Sequence, residues 1–355
     1  MDAELDSLID KLQKAVERAR PVRIRGAGTK DFYGQFLHGE LLDTRRLCGI
    51  VSHEPSELVV TVRAGTRLKE LEELLAQHGQ YLPFEPPRFG VAGTVGGMVA
   101  AGLSGPARAS AGSLRDYVLG VQMLNGKAEL LTFGGQVMKN VAGYDVSRLM
   151  AGSLGTLGVI VQVSLKVLPL PPAECTLVFE LSETSARQQL NRWCGQPLPL
   201  NASVWADGLL LVRLRGAHAA VAAARKTMGG EWLEKDADRH WALVRDQGLP
   251  FFRLEGDEAL WRVSVPDTAT PLNLGRTLIE WHGAQRWVKL PVRFAPRIRA
   301  AAALAGGHAT LFRGGDGRTP VFTPLGEPAA RIHRALKHEF DPAGIFGAGR
   351  MYLDF

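Results

Sequence analysis

Cysteine is scarce in this chain: Cys48, Cys175 and Cys194 are its only three among 355 residues. They are far apart and no pair has Cys-x-x-Cys spacing, which excludes a disulfide framework, a structural zinc site and an iron–sulfur cluster. No apolar run reaches the roughly 18 to 20 residues needed to cross a bilayer. The first segment, MDAELDSLIDKLQKAVERAR, opens on acids and has no apolar block, so it does not read as a signal peptide. Its Leu5, Leu8, Ile9, Leu12 and Val16 fall instead at the spacing of an amphipathic helix. The expected location is the cytoplasm, or the inner face of a membrane reached through a partner. There is no run of five Lys or Arg, and a formal net charge of +6 is modest for this length, so nucleic acid is not an expected partner. G-x-x-x-x-G-K-[ST] is missing as well, which argues against an ATPase or GTPase.

What is present is an ordinary globular composition, 46% apolar and 22% charged, long enough for two domains. The first half alternates strands and helices. PVRIRGAGT is a short strand entering a glycine turn, and ELVVTV (57–62) a buried strand. TRLKELEELLAQHG reads as a helix with Thr66 as N-cap and Gly79 as its stop. VLGVQMLNGKAELLTF reads as a hairpin whose Asn125-Gly126 pair suits a type I′ turn. In TLGVIVQVSLKVLPLPP, strict alternation puts Val159, Val161, Val163, Leu165 and Val167 on one face. Pro169, Pro171 and Pro172 then mark the domain boundary. The second half carries all seven tryptophans and an Ala-rich helix closed by Gly229-Gly230. The turn-rich tail HEFDPAGIFGAGRMYLDF is expected to pack back onto the protein.

Two glycine-rich loops stand out, RGAGTKDFYG (25–34), directly after a strand, and GVAGTVGGMVAAGLSGP (90–106). Glycine lets successive backbone N–H groups converge into a concave nest that binds phosphate oxygens. Thr29, Thr94, Ser104 and Ser113 add hydroxyl donors. Two such nests suit a dinucleotide diphosphate. Gly26-Ala27-Gly28 lacks the third glycine of G-x-G-x-x-G, so the loops do not form a Rossmann fingerprint.

Taken in order, RIRGAGTKDFYG, AGTVGGMVAAGLSGP, GSLRDYVLGVQMLNG, KNVAGYDVSRLMAGSLGTLGVI and FDPAGIFGAGRMY resemble the vanillyl-alcohol oxidase / p-cresol methylhydroxylase (PCMH-type) FAD-binding family. Within it they resemble the FAD-binding subunits of bacterial glycolate oxidase (glycolate dehydrogenase) complexes. The resemblance implies an α+β fold: a PCMH-type two-lobed FAD-binding domain over residues 1–172, an α+β cap domain over 173–335, and a tail, 336–355, returning to the FAD domain. It implies that the backbone of Gly26, Ala27, Gly28, Thr29 and Lys30 and of Gly93, Thr94, Val95, Gly96, Gly97 and Met98 holds the diphosphate. Ser104, Ser113 and Asp116 would lie along the cofactor, with Gly158 and Ile160 at its adenine end. No His or Cys stands where the family attaches its flavin covalently, so FAD is expected to be noncovalent. The implied partners are a homologous FAD-containing catalytic subunit and an iron–sulfur subunit. A small 2-hydroxy acid would be the substrate of the whole complex.

The chain departs from the pattern at the stretch AGGHATLFRGGDGR, 305–318. Relatives that oxidise 2-hydroxy acids carry His-x-Gly-Asp-Gly-Asn-x-His and a later Glu-His-Gly, which bind a metal and place a base. Here His308 stands alone, Gly315-Asp316-Gly317 comes late and Glu-His-Gly is absent. His333 and His338 are five apart and do not share a helical face, so no metal is expected. Gly152-Ser153-Leu154-Gly155 replaces the family's Gly-Ser-Glu-Gly, and Gly347-Ala348-Gly349-Arg350 its Asn-Pro-Gly-Arg. The catalytic candidates left are His308 as base, Arg313 or Arg318 as carboxylate holder, and Arg350 as a cation beside reduced flavin. The leading expectation is a flavin-holding subunit whose partner does the hydroxy-acid chemistry. Two alternatives are an independent oxidase built around His308 and Arg313, and a flavin-free scaffold.

Overall fold

The computed structural model describes residues 3–135 and 144–353. The segment KNVAG, 139–143, on which part of the resemblance rests, lies outside them. In chain order the first elements are α1 (Ala3–Glu17), β1 (Val22–Arg25), β2 (Glu40–Asp43), β3 (Ile50–Glu54), β4 (Val59–Arg63), α2 (Leu68–Gln77) and β5 (Gln80–Tyr81). Next come α3 (Val95–Ala101), α4 (Arg108–Ala111), β6 (Val118–Leu124), β7 (Leu130–Gly134), α5 (Val146–Leu149), β8 (Val159–Lys166) and β9 (Leu168–Pro169). Among the described residues these strands include an antiparallel five-stranded sheet ordered β3-β4-β8-β6-β7. One face of that sheet buries Val60, Val62, Val163 and Leu165 against Leu71, Leu75 and Met98 of α2 and α3.

Beyond the prolines the chain builds β10 (Ala173–Glu180), α6 (Glu183–Cys194), β11 (Leu200–Ala206), β12 (Leu209–Gly216), α7 (His218–Met228) and β13 (Glu231–Trp232). It continues through α8 (Ala237–Arg245), β14 (Glu258–Ser264), β15 (Thr277–Glu280), β16 (Gln285–Pro291), α9 (Ala295–Leu304), β17 (His308–Arg313) and α10 (Glu327–Phe340). Its strands form an eight-stranded sheet, β13-β10-β12-β11-β15-β16-β14-β17, that among the described residues takes no strand from before Pro172. The architecture is α+β. Leu260, Leu278, Trp287 and Phe312 on the inner face of this sheet pack on Tyr33, Ala101 and Leu103 of the glycine-rich part. Helix α10 runs through residue 336, where the sequence suggested the tail begins. Residues 345 and 346 lie against β1: Val22 N–H donates to Ile345 O (2.8 Å), and Val22 bridges to Phe346.

Four local expectations need correction or refinement. The hairpin at 118–134 exists, but its turn is a five-residue loop, not a type I′ turn. Positive φ falls on Ala128 (59°), while Asn125 Oδ1 accepts from the N–H groups of Lys127 and Glu129, both at 2.9 Å. Gly126 is there for close approach: a Cβ would meet Asp341 Cα at 2.7 Å, and its N–H donates to Phe340 O (2.7 Å). Gly126→Ala is therefore expected to cost about 1–3 kcal/mol through overpacking against the end of α10, read as a lower urea midpoint with unchanged slope.

Thr66 does not cap α2. Arg67 is the N-cap, and Thr66 Oγ1 accepts from Gly49 N–H (2.9 Å), while Gly79 does end the helix with φ 65°. The alternation in β8 is interrupted by a bulge where β6 pairs Gln122 with Gln162 but Met123 with Ile160. Val159 and Val161 consequently pack with α1, Ile345 and Phe346, while Val163, Leu165 and Val167 pack with α2 and α3. Strand β4 also starts at Val59, two residues later than the sequence pattern suggests, because Pro55–Glu57 forms a single 3₁₀ turn and Leu58 turns left-handed (φ 57°).

Candidate cofactor-binding site

Strand β1 ends at Arg25 and hands the chain to Gly26–Lys30, which with Thr94, Gly97 and Leu154 walls a cleft of about 90 Å³. The loops touch so closely that a Cβ on Gly26 would lie 2.3 Å from Thr94 Oγ1, and Gly28 is left-handed at φ 75°. Thr94 caps α3, its Oγ1 accepting from Gly97 N–H at 3.2 Å. Asp31 N–H donates to Gly28 O (3.1 Å) and Tyr33 N–H to Lys30 O (3.0 Å). The N–H groups of Ala27 through Lys30 donate to no backbone oxygen among the described residues. Burial lowers the Lys30 ammonium to about 8, with Asp246 opposing the shift. A concave run of N–H groups beside a partly desolvated lysine holds anionic oxygens such as those of a diphosphate.

Asp31, Leu37 and Arg350 line this cleft and also a second one of about 280 Å³, which is closed on its far side by Phe312 and Arg313 of β17. The two form one groove. Arg313 lies over Phe32, 4.5 Å from the ring centroid. Arg350 is buried and its guanidinium donates to the carbonyls of Gln35, Tyr33 and Asp31, the last at 3.1 Å. Burial lowers it to about 10, with Asp31 opposing. It is a staple between the tail and loop 31–35 before it is anything else. His308 sits at the opposite end of β17 from Arg313, five residues and so about 16 Å away. Asp316 closes its own turn, its Oδ1 accepting from the N–H groups of Arg318 (3.0 Å) and Thr319 (2.7 Å).

Residues 3–134 match a family model described as an FAD binding domain. Over 349 residues, 98% of this chain and 97% of the relative, the sequence is 45% identical to glycolate oxidase subunit GlcE of Escherichia coli (strain K12). The chain belongs to the GlcE family of glycolate oxidase subunits. A more distant similarity is to glycolate oxidase subunit GlcD of Bacillus subtilis (strain 168), 29% identical over 49% of this chain and 37% of that one. Among solved structures, alkyldihydroxyacetonephosphate synthase superposes with a TM-score of 0.65 over 96% of this chain and 74% of its own, at 16% identity. That likeness establishes the PCMH-type fold. The cofactor supported by the family model is FAD.

Within this GlcE-family chain, the other residues singled out from the sequence divide in two. Val95, Gly96 and Met98 face the core: Met98 is buried under the sheet, and a Cβ on Gly96 would meet that of Ala64 at 2.6 Å. Ser113 and Asp116 bond each other, Asp116 Oδ2 accepting from Ser113 N–H and Oγ, both at 2.8 Å. Ser104 Oγ accepts from Leu114 N–H (3.0 Å) and borders a small cavity under the eight-stranded sheet. Gly158 is a close-packing glycine against Met123 and Leu124 O, and Ile160 is a core side chain, so neither lines the groove. Among the described residues that line the groove there is no His or Cys.

Sequence reading missed the residues that join the two halves. Glu85, held at φ 46°, accepts from Arg213 (2.6 and 2.7 Å) and Arg215 (2.9 Å) of β12. His282, left-handed at φ 58°, lies between Ser110 Oγ (2.9 Å) and Ser203 Oγ (3.0 Å), and burial pushes it down to about 4. Glu280 is buried, its Oε2 accepting from Gln285 Nε2 (2.9 Å) and Trp287 Nε1, and burial raises it to about 7. The one sequence signal for Glu280 was an acid inside the apolar strand pattern LIEW.

Proposed function

We propose that this chain is the FAD-holding subunit of a glycolate dehydrogenase (glycolate oxidase) complex. The observation that carries the reading is the groove walled by both glycine loops and spanned by Arg350. Residues 1–172 with the tail 336–355 hold the cofactor noncovalently, and residues 173–335 cap it. Gly26, Ala27, Gly28, Thr29 and Lys30 with Thr94 and Gly97 take the diphosphate. Bound FAD supplies two-electron acceptance from, or relay to, a neighbouring redox group. Hydroxy-acid oxidation runs on a homologous FAD-containing partner, an iron–sulfur subunit carries electrons on, and contact with the membrane is peripheral, through the partners. His308 and Arg313 are not one catalytic pair, which favours this reading over an independent oxidase.

The purified full-length chain is expected to show flavin absorbance that moves wholly to the supernatant on acid precipitation. A colourless chain that takes up no FAD contradicts the proposal. Lys30 gives a pH signature. Its proton is lost at about 8 in the cofactor-free fold but at about 10.5 in the unfolded chain. Between these values the unfolded chain binds the extra proton, so the Lys30 contribution to stability rises with pH. A bound diphosphate restores the proton, so FAD affinity is expected to fall above pH 8 by up to about tenfold per pH unit. Lys30→Met should flatten that profile in FAD titrations from pH 7 to 10.

A further inference from the structure

At the groove, one bulky side chain is carried on backbone of the kind glycine favours. Phe89 is left-handed at φ 48°, and Gly90 after it stands at φ 131°. Left-handed backbone is costly for a residue with a β-carbon and persists where the surroundings impose it. Here the surroundings are the residues of the groove. The Phe89 ring lies 5.3 Å from that of Phe32 and 6.3 Å from that of Phe312, centroid to centroid. Arg313 stands 5.5 Å and Lys30 5.8 Å from its centre. Lys30 lines the glycine-loop cleft, while Phe32, Phe312 and Arg313 line the second one. Phe89 itself lines a third space of about 20 Å³, under the eight-stranded sheet beside Leu103, Ser104 and Gly105. One ring therefore stands where three spaces meet.

The chain on either side of this ring is fixed. Before it, Arg88 N–H donates to Asp246 Oδ1 (2.8 Å), and the Arg88 guanidinium pairs with Glu72 (2.6 Å). After it, Gly93 is buried and its carbonyl accepts from Leu68 N–H (2.8 Å). Between these anchors the N–H groups of Phe89, Gly90, Val91 and Ala92 donate to no backbone oxygen among the described residues, and Val91 is 84% exposed. A segment with so few bonds opens at lower cost than the helices and strands around it. Space calls for such an opening. Pockets for drug-sized ligands run to about 300–1,000 Å³, and a flavin dinucleotide is larger than those ligands. The two clefts measure about 90 and 280 Å³.

We propose that Phe89 is the gate of the groove. Segment 89–92 swings outward between Arg88 and Gly93, the ring leaves the junction, and both clefts join the space under the sheet without any strand moving. The gate rests on the FAD-holding reading and adds to it a control on cofactor entry and release. Stopped-flow mixing of FAD with the flavin-stripped full-length chain, followed by flavin fluorescence, tests it. In the unaltered chain the observed rate should level off as FAD is raised, because opening precedes entry. In Phe89→Ala it should keep rising, and release of FAD should be at least tenfold faster. Gly90→Ala decides the matter should Phe89→Ala fail to fold. A β-carbon there meets nothing closer than Thr29 Cγ2 at 3.6 Å, so the change acts through φ 131°, which an L side chain disfavours. It should raise the limiting rate severalfold. An unaltered chain whose rate stays proportional to FAD, or folded variants that load and release FAD at the unaltered rates, overturn the gate. An unaltered chain that takes up no FAD contradicts the FAD-holding reading instead, so the two failures are distinguishable.

Discussion

Glu85→Ala is expected to destabilise the folded chain by about 3–5 kcal/mol, the cost of leaving one member of a buried ion pair alone. Arg213 and Glu85 have side chains only 3% and 13% exposed, and meet at 2.6 Å. The same carboxylate also takes Arg215 Nη1 at 2.9 Å and Ala107 N–H at 3.2 Å. It thus joins the segment after β5 to β12 of the other sheet. Removing it leaves two guanidiniums facing each other with Glu174 as the remaining acid, paired to Arg215. Urea unfolding should show the loss, and Arg213→Met added to Glu85→Ala should recover part of it. An additive or larger loss in the double variant would mean that the pair is not the source of the effect.

Arg350→Met is expected to lower stability by about 3 kcal/mol and weaken FAD binding by about tenfold or more, since two buried carbonyls and a third, part-buried one lose a charged donor. Arg350 fixes loop 31–35, and that loop lines both parts of the groove. Lysine should rescue little, because an ammonium on a single stem does not reproduce a planar fork across three carbonyls. Denaturant midpoints and FAD titrations on the two variants separate loss of fold from loss of the groove. Full FAD affinity in the methionine variant would show that the tail does not shape the site.

Much of the fold was legible because its signals are local. The existence of strand β8 from its β-branched run, the spacing of Leu8 and Leu12 in α1, and the small residues of both glycine loops each follow from a few neighbouring positions. What failed depended on distant contacts. Asn125-Gly126 was read as a two-residue turn, but the end of α10, over 200 residues on, fixes Gly126 and moves the left-handed residue to Ala128. Thr66 has the chemistry of a cap and is used by Gly49 instead. Gly158 and Ile160 carry no mark in sequence to tell close packing from ligand contact. Glu85, among prolines in FEPPRFG, gives no hint of arginines 128 and 130 positions away. The stretch around His308 was legible in composition only. Strand pairing, which places His308 next to Ser264 and away from Arg313, reassigns it to the Arg262 end of the sheet.

The central claim is that the two glycine loops hold the diphosphate of a noncovalent FAD. It is tested most directly by equilibrium binding of FAD and of riboflavin to the flavin-stripped chain and to Gly26→Val, whose side chain would run into Thr94. FAD should bind the unaltered chain at least about 100-fold more tightly than riboflavin, the advantage expected when a diphosphate gains several charge-assisted hydrogen bonds, and Gly26→Val should abolish that advantage. Equal affinity for the two flavins, or a Gly26→Val chain that binds FAD as well as the unaltered one, would contradict the account.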